Sequence, residues 1–519
     1  MNRLLAAFLP RTRVSVLSAL RADRFLLVSA LVLFVAACAP LCVTPFLPFS
    51  DLGVNTAVSE MLAETALGHE PAATYHRLNW TPVPYWTSYL LTALTGRILG
   101  PLLAAKFLTA VVIALLPLST MRLLLSLGRD PRLGLWAFAL VWQQNLYAGW
   151  LAFMLAVSLV SFALSWIIEA ETIADGLRIA PYTAAIALTH VQGTWLLGVC
   201  GGLLCLTTGT VWRRAAIHLV AGSGAALMTL LWLWRQLGSG SGGSALFSFG
   251  WHSPAYKLSK VFVYTLDNFS RPDHERVAAV AFVILLLGPV ALTQLPQRPF
   301  FDRRSPLVLV LGAGVLYALL WWEVGGPITH WYTYPRYASV AMLWWLLFPA
   351  PRRAFTSALA LLPGICAALA LDYVVLQQFR GFAERTKPLL EVIREIPERA
   401  SVLAFVLDDN DPDPDLRLPP YHQLYGYVTA MKHGYTPYLW SNSSLPLLNR
   451  EVSLPAPGWG GAFSMQAHGR HYDYLLVQGF AHGDPVRGAA PSDGYGTRLV
   501  LERARWRLYA VTKPPGSSR

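Results

Sequence analysis

Charged residues are scarce in this chain. Asp, Glu, Lys and Arg make up 13% of its 519 residues, whereas hydrophobic residues make up 55%. Soluble domains usually carry about 25% charged residues, so this composition excludes a wholly soluble protein. We therefore predict a mainly α-helical, polytopic membrane protein with room for one small soluble domain.

Cysteines are few, and the C-terminal tail has none. All five lie inside apolar segments, at Cys38, Cys42, Cys200, Cys205 and Cys366. A buried cysteine behaves as a small apolar residue. This distribution excludes a disulfide framework and gives no indication of a cysteine-based zinc site.

Acidic residues are outnumbered by basic ones. The chain has 29 Asp and Glu against 41 Lys and Arg, which gives a formal net charge of +12. In membrane proteins, Lys and Arg accumulate in the cytoplasmic loops. We attribute the excess to such loops and predict no binding to nucleic acid.

Long apolar runs are abundant. A helix needs about 20 apolar residues to cross the hydrocarbon of a bilayer. The run at 25–47 is too long for the core of a signal peptide, so we predict that it is an uncleaved first span. About eleven spans are predicted in all, at 25–47, 101–127, 133–149, 150–168, 179–191, 193–210, 215–236, 277–295, 306–322, 337–349 and 354–376.

The distribution of arginine predicts the orientation of these spans. The connections at 128–132, 297–304 and 349–353 are short and carry Arg, whereas the connection at 142–150 has no Lys or Arg. The positive-inside rule then places the basic N-terminus, residues 1–24, in the cytoplasm. An odd number of spans places the C-terminal tail on the opposite side.

Two regions follow the basic N-terminus in this topology. The transmembrane domain is predicted at 25–377, with long outer loops at 48–100 and 238–276, and a small extracytoplasmic α/β domain is predicted at 378–519. In that domain, "PLLEVIREIPERASVLAFVL" predicts an amphipathic helix, a turn and a strand. "YDYLLVQG" and "RWRLYAVTK" predict two further strands. We expect a multi-pass protein of the inner (plasma) membrane.

The first outer loop carries polar side chains at the membrane boundary. Asp51 follows the first span by four residues, and His76 lies in the polar and aromatic stretch "GHEPAATYHRLNW". A carboxylate at this depth is disfavoured unless it has a role. The alternative is that Asp51 caps the helix "LGVNTAVSEMLAETAL". The two roles can coexist, because a carboxylate held by backbone amides stays ionised.

Two more candidates lie at the outer ends of later spans. His190 ends the fifth span in "LTHVQGTW", and Arg336 precedes the tenth span in "THWYTYPRYASV", with Tyr332 close to it. Such groups are candidate contacts for an anionic substrate. The alternatives are a histidine that bonds the last carbonyls of its helix and an arginine that snorkels among interfacial tyrosines.

The order of these features resembles the GT-C superfamily of integral membrane glycosyltransferases. The shared features are a first helix, an Asp just beyond it, a long outer loop with an amphipathic helix, many further spans and an outer α/β tail. The segments "LPFSD", "NWTPVPY" and "YDYLLVQG" are similar to those of poorly described bacterial members. The resemblance implies transfer of a hexosyl or pentosyl group from a polyprenyl-phosphate-linked donor to a glycan, lipid or protein acceptor at the outer face.

The resemblance also implies roles for particular residues. Asp51 would be the catalytic base, and Arg336 would contact the carrier phosphate. Further substrate contacts are expected from His190, His76, Tyr332 and Glu60.

One position departs from the family pattern. Many members have a second acid beside the first, whereas here Leu52 follows Asp51, and the nearest acids are Glu60 and Glu64. We therefore predict no metal ligands, and a divalent cation remains an optional cofactor.

Two other functions are alternatives to a glycosyltransferase. The missing second acid favours a non-catalytic GT-C-like protein that assists glycan or lipid export or assembly. A transporter would place charged residues at mid-membrane depth on facing helices. The predicted spans contain almost none, so a transporter is the less favoured alternative.

Overall fold

A computed structural model describes most of the chain. The described residues are 15–207, 211–238, 248–292, 306–325, 331–348, 358–407, 413, 415–441, 444–450, 453–458, 461–480 and 483–514. Two of the basic connections that predict orientation, 297–304 and 349–353, lie outside these ranges, as do residues 1–14.

The described residues are mostly helical. In chain order the α-helices are α1 Val16–Ala22, α2 Arg24–Val43, α3 Leu52–Ala66, α4 Ala72–Tyr75, α5 Trp86–Leu99, α6 Pro101–Ser126, α7 Gln144–Tyr147, α8 Leu151–Glu169, α9 Ile173–Thr189, α10 Val191–Leu206, α11 Val211–Gly238, α12 Pro254–Ser259, α13 Val261–Thr265, α14 Pro272–Ala291, α15 Pro306–Leu319, α16 Arg336–Trp345, α17 Leu362–Glu395 and α18 Tyr425–Lys432. Segments of 3₁₀ helix lie at Pro131–Leu140, Ala358–Leu361 and Gly469–His471.

Short strands supply the rest of the regular structure. They are β1 His76–Leu78, β2 Ser248–Gly250, β3 Glu323–Gly325, β4 Val402–Val406, β5 Leu447–Asn449, β6 Tyr474–Gln478, β7 Gly496–Arg503 and β8 Trp506–Thr512. β1 pairs with β5 and β2 pairs with β3, both antiparallel. The C-terminal sheet has the order β4-β6-β8-β7, in which β4 and β6 are parallel and the other pairs are antiparallel.

Six helices in the described part of the chain are long and apolar enough to cross a membrane. They are Arg24–Val43, Pro101–Ser126, Leu151–Glu169, Trp212–Leu237, Pro272–Ala291 and Leu359–Glu395. Each coincides with a predicted span. This confirms the prediction of a multi-pass membrane protein at the level of apolar helices.

The other five predicted spans correspond to shorter elements. Two are the apolar helices α10 and α15, which have 16 and 14 residues. The region 179–191 lies in α9, and 337–349 lies largely in the ten-residue α16. The region 133–149 is a 3₁₀ segment followed by the single turn of α7. Eleven spans therefore stay a prediction.

The predicted boundary near residue 377 falls inside one continuous helix. α17 runs for 34 residues and joins the last apolar segment to the amphipathic segment "PLLEVIRE" without a break. Pro388 lies within this helix and does not end it.

The chain forms two compact units. The first comprises residues 1–42, 81–88 and 109–377, and the second comprises 43–80, 89–108 and 378–519. In the first unit, α9 and α11 pack closely, and Thr183 Oγ1 of α9 donates a hydrogen bond to the carbonyl of Ala221 at 2.7 Å.

The second unit contains the predicted α/β elements of the tail. β4, β6 and β8 form in the segments that were predicted as strands, and the sequence analysis missed β7. The core on this sheet consists of alternating buried side chains of β4 and β6 with aromatic residues from the loops, among them Leu403, Leu475, Val477, Tyr435 and Tyr472.

A close crossing of α3 and α18 positions the candidate site of the second unit. Gly53 and Gly426 face each other, and a Cβ atom on Gly426 would overlap the backbone of Gly53 and Val54. Glycine at both positions lets the helices approach backbone to backbone. The C-terminal end of α18 is then held beside the middle of α3.

Candidate functional site

Asp51 lies at the N-cap position of α3, in the second unit. Its backbone carbonyl accepts a hydrogen bond from the N–H of Asn55 at 3.1 Å, but its side chain makes no capping hydrogen bond. The carboxylate is half-buried. Capping is therefore not the role of the Asp51 side chain, and its role as a base stays a prediction.

Two carboxylates lie on one buried face of the same helix. Glu60 and Glu64 are one helical turn apart, and this spacing places their side chains side by side. They are only 3% and 4% exposed. Nη1 of Arg97, near the end of α5, lies 2.5 Å from Oε1 of Glu64 and 3.3 Å from Oε1 of Glu60. Two buried carboxylates need such a cation, because an unpaired buried charge is strongly destabilising.

Two histidines complete this group. Nδ1 of His69 lies 3.1 Å from Oε2 of Glu64, and Nδ1 of His433 lies 2.9 Å from Oε1 of Glu60 and 4.0 Å from Oε1 of Glu64. His433 follows the last residue of α18 in the left-handed conformation, with a φ of 48°. We refer to Glu60, Glu64, His69, Arg97 and His433 as the carboxylate cluster.

The partners in the carboxylate cluster shift one another's pKa values. The hydrogen bond to Glu60 raises the pKa of His433 above its ordinary value, although burial opposes this. Burial raises the pKa of Glu64, but the hydrogen bonds from Arg97 and His69 outweigh it, so the pKa of Glu64 is lowered. Both shifts favour the charged forms.

Glu60 does not lie close to Asp51. Glu60 lies nine positions after Asp51, which corresponds to about 13 Å along the helix axis. The predicted substrate contact Glu60 is held in the carboxylate cluster, whereas Asp51 lies at the start of the helix.

His76 lies in the small sheet of β1 and β5, opposite Asn449. It is 1% exposed, and its ring lies 6.0 Å from the ring of Tyr435. Burial lowers the pKa of His76 to about 4, although Asn449 opposes the shift. The imidazole is therefore neutral at pH 7 and packs with the aromatic core, so His76 offers no positive charge to a substrate phosphate.

His190 lies in the first unit, at the junction between α9 and α10. It is the residue between these two helices, with extended backbone angles, and it is 1% exposed. Its Nδ1 accepts a hydrogen bond from the N–H of Gln192 at 3.2 Å and so caps α10. The alternative prediction was that the His190 side chain bonds the last carbonyls of α9. Its Nδ1 instead accepts from an N–H of the next helix.

Arg336 is the first residue of α16 and meets His190. Its Nη1 lies 3.0 Å from Nε2 of His190, and its Nε donates to the carbonyl of Tyr332 at 3.2 Å. The guanidinium lies 3.9 Å from the ring centroid of Trp150, a cation–π contact. Arg336 is 7% exposed. The structure therefore buries this guanidinium, in contrast to the snorkelling alternative.

Tyr332 and Tyr85 frame this pair. The ring centroid of Tyr332 lies 5.6 Å from Trp150 and 4.2 Å from Trp322. The hydroxyl of Tyr85 lies 3.3 Å from Nε2 of His190. Tyr85 and Trp150 were missed by the sequence analysis. We refer to Arg336, His190, Tyr332, Tyr85 and Trp150 as the Arg336 site.

The contacts of His190 compete with one another. A neutral imidazole has one N–H, and Nδ1 already accepts from Gln192, so the proton belongs on Nε2. Nε2–H can donate to the hydroxyl of Tyr85, but it cannot accept from Arg336, which is only a donor. The Arg336–His190 contact is therefore weak when the His190 imidazole caps α10 in this way. An anion is a better partner for the guanidinium of Arg336.

Two polar side chains near the Arg336 site have no hydrogen-bond partner among the described residues. Neither side-chain amide atom of Gln192 is bonded, although this residue is fully buried. The hydroxyl of Thr333 is likewise unbonded and buried. Unsatisfied buried polar groups are rare in native proteins and need an explanation such as an absent ligand or water.

Charged residues also occur inside two apolar helices. Arg122 of α6 forms a bidentate pair with Glu169 at 2.7 and 2.6 Å. Asp372 of α17 is buried and accepts a hydrogen bond from Nε1 of Trp142 at 2.8 Å. Neither residue was predicted as a site residue, because each is isolated within an apolar run. Both have partners, as intramembrane charges generally do.

Comparisons with protein-family models, with curated proteins and with solved structures find no match to this chain. The family assignment and the function are therefore proposals.

Proposed function

We propose that this protein is a membrane glycosyltransferase of the GT-C type. In this proposal it transfers a hexosyl or pentosyl group from a polyprenyl-phosphate-linked donor to an acceptor at the outer face of the membrane. The observation that carries the proposal is the buried guanidinium of Arg336, stacked on the ring of Trp150 at the ends of apolar helices. A lipid-linked phosphate is the anion expected at such a place in a membrane protein.

The reaction needs a cation for the leaving group. When the bond between the anomeric carbon and the phosphate oxygen breaks, the polyprenyl phosphate leaves with the bonding electron pair and gains negative charge. A guanidinium with its planar fork of donors suits such a phosphate. In the proposal Arg336 makes this contact and turns away from the weak contact with His190.

The reaction also needs a base for the acceptor. The hydroxyl oxygen attacks the anomeric carbon while its proton passes to a carboxylate. Asp51 fills this role in the proposal because of the resemblance to GT-C enzymes, in which an acid just beyond the first helix is the base, and because it is half-buried at the start of α3.

The finer topology belongs to the same proposal. It includes about eleven spans, a cytoplasmic N-terminus and an extracytoplasmic tail, together with the GT-C architecture. Six long apolar helices support the membrane part. An Asp51→Cys variant, labelled with a membrane-impermeant thiol reagent, tests the orientation. Labelling of position 51 from the cytosolic side alone would overturn it.

Transfer by variants of the full chain in liposomes tests the chemistry. The donors are labelled polyprenyl-phosphate sugars extracted from membranes, together with the extracted acceptor pool. We expect Asp51→Asn to lower the rate by about 10²–10⁴-fold, as for the loss of a general base. Glu70→Gln, which neutralises an exposed carboxylate of the same loop, is the matched control. Normal transfer by Asp51→Asn would refute the base assignment.

One observation favours the non-catalytic alternative. The acids nearest to Asp51 after Leu52 are Glu60 and Glu64, and both are occupied by Arg97 and the histidines. A donor that raises the melting temperature of the wild-type protein without any turnover would support this alternative. Turnover by the wild type would exclude it.

A further inference from the structure

We propose that Glu60, Glu64 and His433 bind one divalent transition-metal ion, and that zinc is the ion that their donor set fits best. The proposal concerns the second unit alone and does not depend on glycosyl transfer. It assigns metal ligands that the sequence analysis did not predict.

The three side chains converge from two distant segments of the chain. Glu60 and Glu64 lie one turn apart on α3, and His433 is brought to them from the end of α18. One ligand atom from each lies within 4.8 Å of those of the others. Ligands of a tetrahedral zinc ion with bonds of about 2.1 Å lie roughly 3.4 Å apart. The distances from His433 Nδ1 to Oε1 of Glu60 and Glu64, 2.9 and 4.0 Å, bracket this value.

The charge of the cluster also suits a divalent cation. The two buried carboxylates carry two negative charges, and Arg97 supplies one positive charge between their Oε1 atoms. A metal ion would take the position that Nη1 of Arg97 now holds. The Arg97 side chain is 36% exposed. Its guanidinium can therefore rotate into the solvent, where it is hydrated and is not left as an unpaired buried charge.

The kind of donor atom selects the kind of ion. Imidazole nitrogens and carboxylate oxygens are both zinc ligands, and zinc sites with three protein ligands hold a water molecule in the fourth position. Calcium takes six to eight oxygen ligands, and magnesium prefers an octahedral shell of oxygens. Two carboxylates fall short of a calcium shell, and the nitrogen ligand favours a transition metal over magnesium.

A second histidine supports one of the ligands from outside. Nδ1 of His69 lies 3.1 Å from Oε2 of Glu64, which is the oxygen that does not face His433. Groups that hold a metal-binding carboxylate in this way typically contribute 10–100-fold to metal affinity. A bound ion would also cross-link α3 to α18 and so stabilise the second unit.

Thermal unfolding of the purified full chain in detergent tests the proposal, with Zn²⁺ as the probe after removal of bound metal by a chelator. We expect micromolar Zn²⁺ to raise the melting temperature of the wild type. We expect His433→Asn to weaken the affinity by at least about tenfold. This variant keeps the fold because the side chain is partly exposed and lies at a helix end. His471→Asn, which removes another tail histidine outside the cluster, is the matched control and should keep the full shift.

Arg97→Gln separates a metal site from a purely ionic cluster. Without metal, this variant should melt at a lower temperature, because two carboxylates are then buried together. If the cluster binds zinc, Zn²⁺ should restore its stability and bind more tightly than to the wild type, since the competing cation is gone. An Arg97→Gln protein that is destabilised and gains nothing from Zn²⁺ overturns the proposal. An equal Zn²⁺ shift in wild type and His433→Asn overturns it as well.

The absorption spectrum of the Co²⁺-loaded protein gives an independent measurement. Visible bands of a four- or five-coordinate ion are expected in the wild type and should be lost in Glu60→Gln and His433→Asn. A spectrum that is unchanged in both variants places the ion elsewhere and overturns the assignment.

Discussion

Acidification should destabilise the second unit through His76. This imidazole is buried in the sheet of β1 and β5, and burial lowers its pKa to about 4. In the unfolded chain the pKa of a histidine is about 6.5. Between these two values the unfolded chain binds a proton that the folded chain does not bind. Stability due to this group is therefore complete above pH 6.5 and falls as the pH is lowered toward 4.

The size of the effect follows from the two pKa values of His76. Each pKa unit corresponds to about 1.4 kcal/mol. Lowering the pH from 7 to 5 should therefore remove about 2 kcal/mol from the free energy of unfolding, and lowering it to 4 should remove about 3 kcal/mol. Because His76 is 1% exposed, solvent screening does not reduce this change in the free energy of unfolding much.

Equilibrium urea unfolding of the full chain in detergent, measured from pH 4 to pH 8, isolates this contribution. His76→Asn removes the titrating group, so its stability should depend less on pH than that of the wild type, by about 2 kcal/mol between pH 7 and pH 5. His468→Asn removes a partly exposed histidine of the tail and is the control. Parallel pH profiles for the wild type and His76→Asn would refute the link between burial and acid sensitivity.

Three more predictions concern single contacts. Arg122→Leu leaves Glu169, whose side chain is 10% exposed, without its bidentate partner, so the free energy of unfolding should fall by about 3–5 kcal/mol. A second substitution, Glu169→Leu, should recover most of this loss, and no recovery would contradict the ion-pair explanation. Gly426→Ala inserts a Cβ atom into the backbone of α3 and should cost about 1–3 kcal/mol, whereas Gly458→Ala, which points into open space, should be neutral in the same unfolding experiment. Arg336→Gln should weaken the binding of a short polyprenyl phosphate, measured by calorimetry, by about tenfold or more. This is the loss expected for a charge-assisted hydrogen bond of about 1.5–3 kcal/mol. Unchanged affinity would show that the phosphate does not bind at the Arg336 site.

Hydropathy was sufficient to predict the long apolar helices but not the short ones. Arg24–Val43 and Leu151–Glu169 are uniformly apolar and long, so composition alone identifies them. The run at 133–149 is also largely apolar, yet it forms a 3₁₀ segment and one helical turn. An apolar run indicates burial, and it does not by itself distinguish a span from a shorter buried element.

At the junction of the last span and the tail, a change from apolar to amphipathic composition near residue 377 predicted a domain boundary. The two compact units also divide between residues 377 and 378. α17 nevertheless continues to Glu395. A domain boundary predicted from composition therefore does not imply that a helix ends there.

The two sites differ in how much of each the sequence predicted. His190, Arg336 and Tyr332 were predicted from their positions at the ends of apolar runs, and the structure brings them together in one unit. Their aromatic partners Trp150 and Tyr85 were missed, because interfacial aromatics are common in membrane proteins and carry little information singly.

The carboxylate cluster was missed for a different reason. Glu60 and His433 are separated by most of the chain, and only the fold shows that they are 2.9 Å apart. A signal was nevertheless present in α3, where Glu60 and Glu64 share one face with apolar neighbours. Two carboxylates on a helix face that is buried require a cation from another segment. That requirement predicts a partner such as Arg97, even where the sequence alone does not say which residue it is.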